Sequence, residues 1–179
     1  MDTFNISKKT TLEKFDKSSK GAWDQKIIPL CNTLNRLPDF FTTSSCAGRI
    51  TLVKDPDPGK KQKNIWLFTT HEPIKGLPED NFPAWLKCEP FIVHVCCRTI
   101  KHAKILLDLA RSLGFKRSGV ISLKKIIVEI IGTEKIENFL TDELPKEYLE
   151  QLTFLASQKL RSNWQNIHVL EKEIIDRLQ

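Results

Sequence analysis

The stretch from Ser44 to Arg49 reads Ser-Ser-Cys-Ala-Gly-Arg and combines two hydroxyls, a thiol, a glycine and a guanidinium. Small and polar residues at this density are typical of a loop, so we expect a loop over residues 40–47. A loop of this kind can point backbone N–H groups at an anion, and an arginine fork matches a carboxylate or a phosphate. The stretch therefore predicts an anion-binding site, with an ordinary turn before a strand as the alternative.

Cys46 raises the question of a hydrolase in which a thiolate attacks a phosphate held by backbone amides and an arginine. Only two residues separate Cys46 from Arg49. That spacing is too short for a loop that wraps a phosphate, so a hydrolase reaction is disfavoured. We expect Cys46 to position a ligand and not to form a covalent intermediate.

His71 and His94 are the candidate general bases, because an imidazole can take up a proton near neutral pH. His71 ends one predicted strand, and His94 lies inside another, where a structural role in the core is the alternative. Cys96 and Cys97 follow His94 closely, but the sequence contains no Cys-x-x-Cys pair. We therefore expect no structural zinc site.

Basic residues are concentrated in one part of the chain. Between Arg98 and Lys125 there are eight lysines and arginines against a single acidic residue, whereas the net charge of the whole chain is only +6. A local basic field is typical of a surface that binds a polyanion such as RNA, with a merely solvated helix face as the alternative. The predicted RNA-binding residues are Lys60, Lys61 and Lys63 at a hairpin tip, together with Arg98, Lys101, Lys104, Arg111, Lys116 and Arg117.

The length of 179 residues and a hydrophobic content of 40% are those of one globular domain, so we expect a single domain over residues 1–179, with residues 1–20 as a flexible terminus. No apolar run approaches the roughly 20 residues of a membrane span, and the first twenty residues lack the apolar block of a signal peptide. Five cysteines at irregular spacing indicate reduced thiols. These features predict a cytoplasmic protein.

Periodicity and turn signals outline the elements that must position these residues. Helices are predicted over residues 23–37, 99–113 and 146–178, strands over 49–54, 64–71, 90–97, 120–123, 126–131 and 136–141, and either type over 81–87. The glycine fingerprint of dinucleotide-binding folds and the phosphate loop are both absent from the sequence. The order indicates an α+β, non-Rossmann fold with a mixed sheet, flanking helices and a long C-terminal helix.

The residues at and after this stretch resemble the family of tRNA wybutosine-synthesizing protein 3. The blocks that carry the resemblance are residues 41–50, Trp66 with His71, Glu89-Pro90-Phe91 with His94-Val95, and Gly114-Phe115 with Ser118-Gly119. The resemblance implies a methyltransferase that uses S-adenosylmethionine (SAM) to methylate N4 of a demethylwyosine base beside the anticodon of tRNA-Phe. In eukaryotes that base already carries an aminocarboxypropyl side chain.

The resemblance also implies roles for individual residues. Catalysis is expected from His71 or His94, and SAM or substrate binding from Ser44, Ser45, Cys46, Gly48, Arg49, Glu89 and Pro90. Whether the Ser44–Arg49 stretch holds the carboxylate of SAM or that of the substrate side chain stays open. The implied partners are the anticodon arm of tRNA-Phe and other wybutosine-pathway enzymes. A non-catalytic module that presents the modified base to another enzyme is the alternative function.

Overall fold

The computed structural model describes residues 2–13, 24–54 and 65–178. Its helices are α1 (Thr3–Leu12), α2 (Ile28–Arg36), α3 (Ile100–Ser112) and α4 (Lys146–Leu178), with a short 3₁₀ turn at Glu79–Asn81. Its strands are β1 (Phe40–Cys46), β2 (Arg49–Lys54), β3 (Ile65–Thr70), β4 (Ala84–Glu89), β5 (Ile92–Cys97), β6 (Gly119–Ser122), β7 (Ile127–Ile131) and β8 (Ile136–Leu140).

The chain divides into two compact units. The first unit comprises Met1–Ala47, Phe91–Thr133 and Trp164–Gln179, and the second comprises Gly48–Pro90 and Glu134–Asn163. The boundary between Ala47 and Gly48 falls inside the polar stretch, and α4 contributes residues to both units. The single domain expected over residues 1–179 stays a prediction.

The first unit is built on an antiparallel sheet in the order β1-β5-β7-β6. One face of this sheet is buried through Val93, Val95, Val128 and Ile130, because alternate residues of β5 and β7 point into the core. The helices supply the rest of that core with residues at helical spacing: Leu30 and Leu34 from α2, Ala103, Leu106 and Ala110 from α3, and Ile167, Leu170 and Ile174 from α4. The other face carries the polar residues discussed below.

The second unit is built on another antiparallel sheet, in the order β3-β2-β4-β8. Ile50 and Leu52 of β2 and Leu86 of β4 are completely buried, and so are Ala156 and Leu160 of α4. The Cys88 thiol lies 3.7 Å from the carbonyl oxygen of Ala156, so this part of α4 contacts β4. The residues that alternate with Ile50, Leu52 and Leu86 along these strands point to the other face of the sheet.

The predicted α+β class and the long C-terminal helix are confirmed. The predicted helix 99–113 is also confirmed, because Thr99 caps α3 at its start and Gly114 follows its end at a φ of 93°. Instead of one mixed sheet, the described strands form two antiparallel sheets. The ambiguous residues 81–87 include most of β4. None of the described helices is long and apolar enough to cross a bilayer.

Two local predictions are wrong. Residues 40–46 form strand β1 and not a loop, because Phe40, Phe41 and Thr42 favour extended backbone and pair with the end of β5. Part of the segment expected to be a flexible terminus forms helix α1, which is held by side-chain contacts to Arg98.

Candidate functional site

A β-bulge brings Ser44 opposite His94 in the first unit. The register of β1 against β5 shifts between Thr42 and Ser44, so Thr43 is skipped and Ser44 becomes the cross-strand neighbour of His94. A bulge of this kind re-aims the side chains that follow it. Because β1 is a strand, half of its backbone amides are used in the ladder with β5, and the Ala47 N–H donates to the Asp24 carboxylate at 3.1 Å. Successive N–H groups of an extended strand point to opposite sides, so those of β1 do not converge on one point.

His94 makes a hydrogen bond through each ring nitrogen. Its Nδ1 lies 2.7 Å from Ser44 Oγ, and its Nε2 lies 2.9 Å from Glu129 Oε2. The three side chains come from neighbouring strands, because Ser44 pairs with His94 across β1 and β5 and His94 pairs with Glu129 across β5 and β7. His94 and Glu129 are 26% and 27% exposed, so the row is reachable from solvent.

Apolar side chains flank this polar row on the same face of the sheet. The next cross-strand row on one side consists of Cys46, Ile92 and Ile131. The next row on the other side consists of Phe41, Cys96 and Ile127. The Ser44–His94–Glu129 row is thus the polar part of an otherwise apolar stretch of this face. Both ring nitrogens of His94 have partners, as in the structural alternative, but the side chain is 26% exposed and does not lie in the core.

Ser45 points to the opposite side of β1 from Ser44, because it pairs with the buried Val93. There its hydroxyl hydrogen-bonds the thiol of Cys31, whose pKa is raised to about 11, mainly by burial. The predicted pair of hydroxyl donors is thus separated, and only Ser44 lies beside His94. Cys46 is partly exposed on the His94 face.

Arg49 and Glu89 form an ion pair across β2 and β4 in the second unit. The Nε of Arg49 donates to the carboxylate of Glu89, which is its direct neighbour in the register. The guanidinium also lies over the ring of Trp66, 4.5 Å from its centroid. The two charged side chains are 34% and 33% exposed, and a pair this exposed contributes only about 0–1 kcal/mol to stability. The pair is partly exposed, so its charged groups are accessible from solvent.

Gly48 and His71 lie at the start of β2 and just beyond the end of β3. His71 Nδ1 lies 3.1 Å from the carbonyl oxygen of Gly48, so this nitrogen carries the proton and donates it. Gly48 has a φ of 96°, and a Cβ there would lie 3.0 Å from both the Glu89 carbonyl oxygen and the Asn163 side-chain nitrogen. Protein atoms fill this space, so packing and backbone conformation account for the glycine without a ligand. Pro90 directly follows Glu89 and lacks an N–H.

The predicted RNA-binding residues fall into three groups. Lys60, Lys61 and Lys63 lie outside the described residues. Arg98 is engaged inside the first unit, where its guanidinium donates to Asp2, Asn5, Asp39 and the carbonyl of Pro38. Four of its five guanidinium N–H groups are thus engaged within the first unit, and its contact with RNA stays a prediction. The side chains of Lys101, Lys104, Arg111, Lys116 and Arg117 are exposed on α3 and the turn after it.

Glu129 is the one member of the His94 row that the sequence patterns do not select. Its pairing with His94 joins strands separated by 35 positions, and no short motif encodes such a pairing. A signal was nevertheless present, because Glu129 is the single charged residue in the apolar strand Ile127–Ile131. A charge at the centre of such a strand needs a partner on the same face of the sheet.

The chain is similar to known proteins of one family over most of its length. A family model described as methyltransferase TYW3 matches residues 5–176. A tRNA(Phe) 7-((3-amino-3-carboxypropyl)-4-demethylwyosine(37)-N(4))-methyltransferase of Thermococcus sibiricus is 36% identical over 186 residues, which cover 96% of this chain and 94% of that protein. A tRNA wybutosine-synthesizing protein 3 homolog of Mus musculus is 37% identical over 198 residues, covering 96% and 76%.

Solved structures have the same fold. The PH1069 protein from Pyrococcus horikoshii OT3 superposes with a TM-score of 0.82 at 29% identity, covering 97% of this chain and 94% of that chain. A hypothetical protein from Aeropyrum pernix superposes with a TM-score of 0.73 at 27% identity, covering 86% and 98%. The resemblance to the tRNA wybutosine-synthesizing protein 3 family is confirmed by the family match and by these relatives. The chain belongs to the methyltransferase TYW3 family.

Proposed function

We propose that this chain transfers a methyl group from SAM to N4 of the 7-(3-amino-3-carboxypropyl)-4-demethylwyosine base at position 37 of tRNA(Phe). The family membership and the name of the Thermococcus relative support this reaction. The observation that carries it is the hydrogen-bonded pair of Ser44 and His94 on a partly exposed sheet face. Such a pair supplies the proton acceptor that methylation of a ring N–H requires.

The Arg49 cluster fits the amino-acid end of SAM. A guanidinium suits a carboxylate, the adjacent carboxylate of Glu89 suits an ammonium group, and the half-exposed indole of Trp66 suits a flat ring. SAM supplies an electrophilic methyl group on a sulfonium. The aminocarboxypropyl side chain of the substrate ends in the same amino and carboxylate groups as SAM. The cluster can therefore bind either of them, and the binding measurements described in the Discussion separate the two.

His94 is the proposed base. Its neutral ring accepts the hydroxyl proton of Ser44 at Nδ1, and Ser44 in turn accepts the proton that leaves the substrate ring nitrogen. The proton thus ends on His94 while the new N–CH₃ bond forms. A well-placed base contributes about 10²- to 10⁴-fold to a rate. Ser44 is exposed, so it is the member of the pair that contacts the substrate.

His71 has a different proposed role. Its Nδ1–H donates to the Gly48 carbonyl, which fixes the orientation of a partly exposed ring that could lie beside a base. We assign it to substrate recognition. Cys46 contributes surface beside the His94 row and no covalent chemistry.

The exposed basic residues of α3 and the turn after it are the proposed contacts to the anticodon arm: Lys101, Lys104, Arg111, Lys116 and Arg117. Phosphate contacts from lysine and arginine supply most of the affinity of RNA-binding surfaces. Direct contact with other wybutosine-pathway enzymes and a cytoplasmic location stay predictions.

The decisive experiment is a reconstituted reaction. Purified protein is incubated with SAM and tRNA isolated from cells that lack this activity, and the nucleosides are weighed by mass spectrometry. We expect the demethylwyosine nucleoside to gain the mass of one methyl group. Binding of the tRNA without any mass gain would contradict the proposed function and support the non-catalytic RNA-binding module.

A further inference from the structure

Glu129 occupies an unusual position for a glutamate. It lies at the centre of β7 between Val128 and Ile130, which are both completely buried, and its own side chain points to the opposite face beside His94. Glutamate is disfavoured in strands, and at 27% exposure its carboxylate loses much of its contact with water, which costs free energy. Stability alone would thus favour an apolar residue at this position. The carboxylate is better explained by what it does to His94.

We infer that Glu129 is a positioning residue that holds His94 with Nδ1 unprotonated and directed at Ser44. This inference rests on the proposed function, since it assigns a task within that reaction. A carboxylate only accepts hydrogen bonds, so the 2.9 Å contact places a proton on His94 Nε2. In the neutral ring the lone pair is then on Nδ1, 2.7 Å from Ser44 Oγ.

The strand register makes this arrangement rigid. Ser44, His94 and Glu129 are direct cross-strand neighbours, and such pairs have Cβ atoms only about 4.5–5.5 Å apart. With a partner on each nitrogen, the His94 ring cannot flip without breaking both hydrogen bonds. When His94 accepts a proton at Nδ1, the ring becomes positively charged beside the carboxylate of Glu129. The carboxylate therefore stabilises the charge that develops on the base.

The test replaces the carboxylate by an amide of the same size. In Glu129→Gln the amide N–H₂ can donate to His94 Nε2 and favour the opposite tautomer, in which Nδ1 carries the proton. We expect kcat to fall on the order of 10- to 100-fold, less than for loss of the base itself. KM values for SAM and tRNA should stay unchanged, because Glu129 touches His94 and not the proposed binding residues.

A spectroscopic measurement separates positioning from a structural role. Ring ¹⁵N shifts of His94, recorded where the ring is neutral, should show a protonated Nε2 in the wild-type protein and a raised population of protonated Nδ1 in Glu129→Gln. Glu129→Asp keeps the charge and should keep the wild-type tautomer with part of the rate. Glu171→Gln is the matched control, since it removes a carboxylate from another glutamate–histidine pair of the first unit and should change neither kcat nor the His94 spectrum.

The outcomes are distinct. An unchanged His94 tautomer in Glu129→Gln, or an unchanged kcat, would overturn the inference. A wild-type protein that transfers no methyl group would contradict the proposed function, whereas the tautomer comparison would still decide whether Glu129 positions His94. If Glu129→Gln did not fold, Glu129→Asp compared with Glu129→Ala would supply the same two readouts.

Discussion

The two halves of the Ser44–Arg49 stretch belong to units with different chemistry. In the first unit, Ser44 is hydrogen-bonded to His94, a group that can gain and lose a proton. In the second, Arg49 is paired with Glu89 and lies over Trp66, and a guanidinium keeps its proton throughout. In the proposed reaction the two halves of this motif therefore have different tasks, which are proton transfer for Ser44 and charge recognition for Arg49.

Replacing His94 by alanine should have the largest effect. His94→Ala removes the proton acceptor, so we expect kcat to fall by about 10²- to 10⁴-fold while KM for both substrates stays near the wild-type value. Steady-state rates of tRNA methylation at varied SAM and tRNA concentrations measure kcat and both KM values. His168→Ala is the matched control, because His168 is 80% exposed on α4. If His94→Ala instead raised KM and left kcat unchanged, His94 would be a binding residue. The two halves of the stretch would then not differ in the proposed way.

Replacing Arg49 by alanine should produce the opposite kinetic pattern. The variant loses charge-assisted hydrogen bonds to the ligand, and bonds to charged groups contribute about 1.5–3 kcal/mol each, or roughly 10- to 100-fold in affinity. Calorimetric titrations with SAM alone and with tRNA alone identify which ligand the cluster binds. Arg161→Ala removes an exposed arginine of the second unit and should change neither affinity. Wild-type affinity for both ligands in Arg49→Ala would remove the Arg49 cluster from the binding site.

The contrast between these two halves could be foreseen only in part. Long elements such as α3 and α4 follow from helical periodicity, with Thr99 and Gly114 as boundary signals. Strand β1 does not, because its serines are typical of loops and its pairing partner β5 lies some fifty positions along the chain. The bulge at Thr43 depends on the same pairing, so the side chain that Ser44 meets cannot be read from its own segment. Composition thus selects the stretch as a candidate site, but long-range pairing decides which side chains each of its residues contacts.

Removing the positive charges on the exposed face of α3 should weaken tRNA binding and leave the contacts of the Ser44–Arg49 stretch unchanged. We expect the triple change of Lys101, Lys104 and Arg111 to glutamine to lower the affinity and to reduce the salt dependence of binding. The slope should fall by about 0.7–0.9 for each RNA phosphate that the variant no longer neutralises. Lys104 also pairs with Asp108, so its share of the effect should be smaller than that of Lys101.

A control with the same loss of charge separates a specific surface from net charge alone. The control changes Lys146, Arg161 and Lys172 of α4, which are exposed, to glutamine. Affinity and slope measured by filter binding at several salt concentrations should change less in this control. Equal losses in the two triple variants would mean that α3 carries only a solvated charge.

Replacing Gly48 by alanine should have the smallest effect on the reaction. The variant tests whether this glycine is needed for packing against Glu89 or for close approach of a ligand to the backbone. Gly48 and Gly114 both have positive φ, at 96° and 93°, so alanine should cost about 1–3 kcal/mol at either position through backbone strain. Only at Gly48 does the added Cβ also press on the Glu89 carbonyl, at 3.0 Å, whereas nothing lies within 4 Å at Gly114. Gly48→Ala should therefore lower the free energy of unfolding in urea by more than Gly114→Ala does. Because Glu89 pairs with Arg49 across the same two strands, Gly48→Ala should also weaken binding of the ligand that Arg49 holds. Equal losses of stability in the two variants, with ligand affinity unchanged, would contradict this prediction. The Glu89 carbonyl would then move away from the added Cβ without lowering the free energy of unfolding.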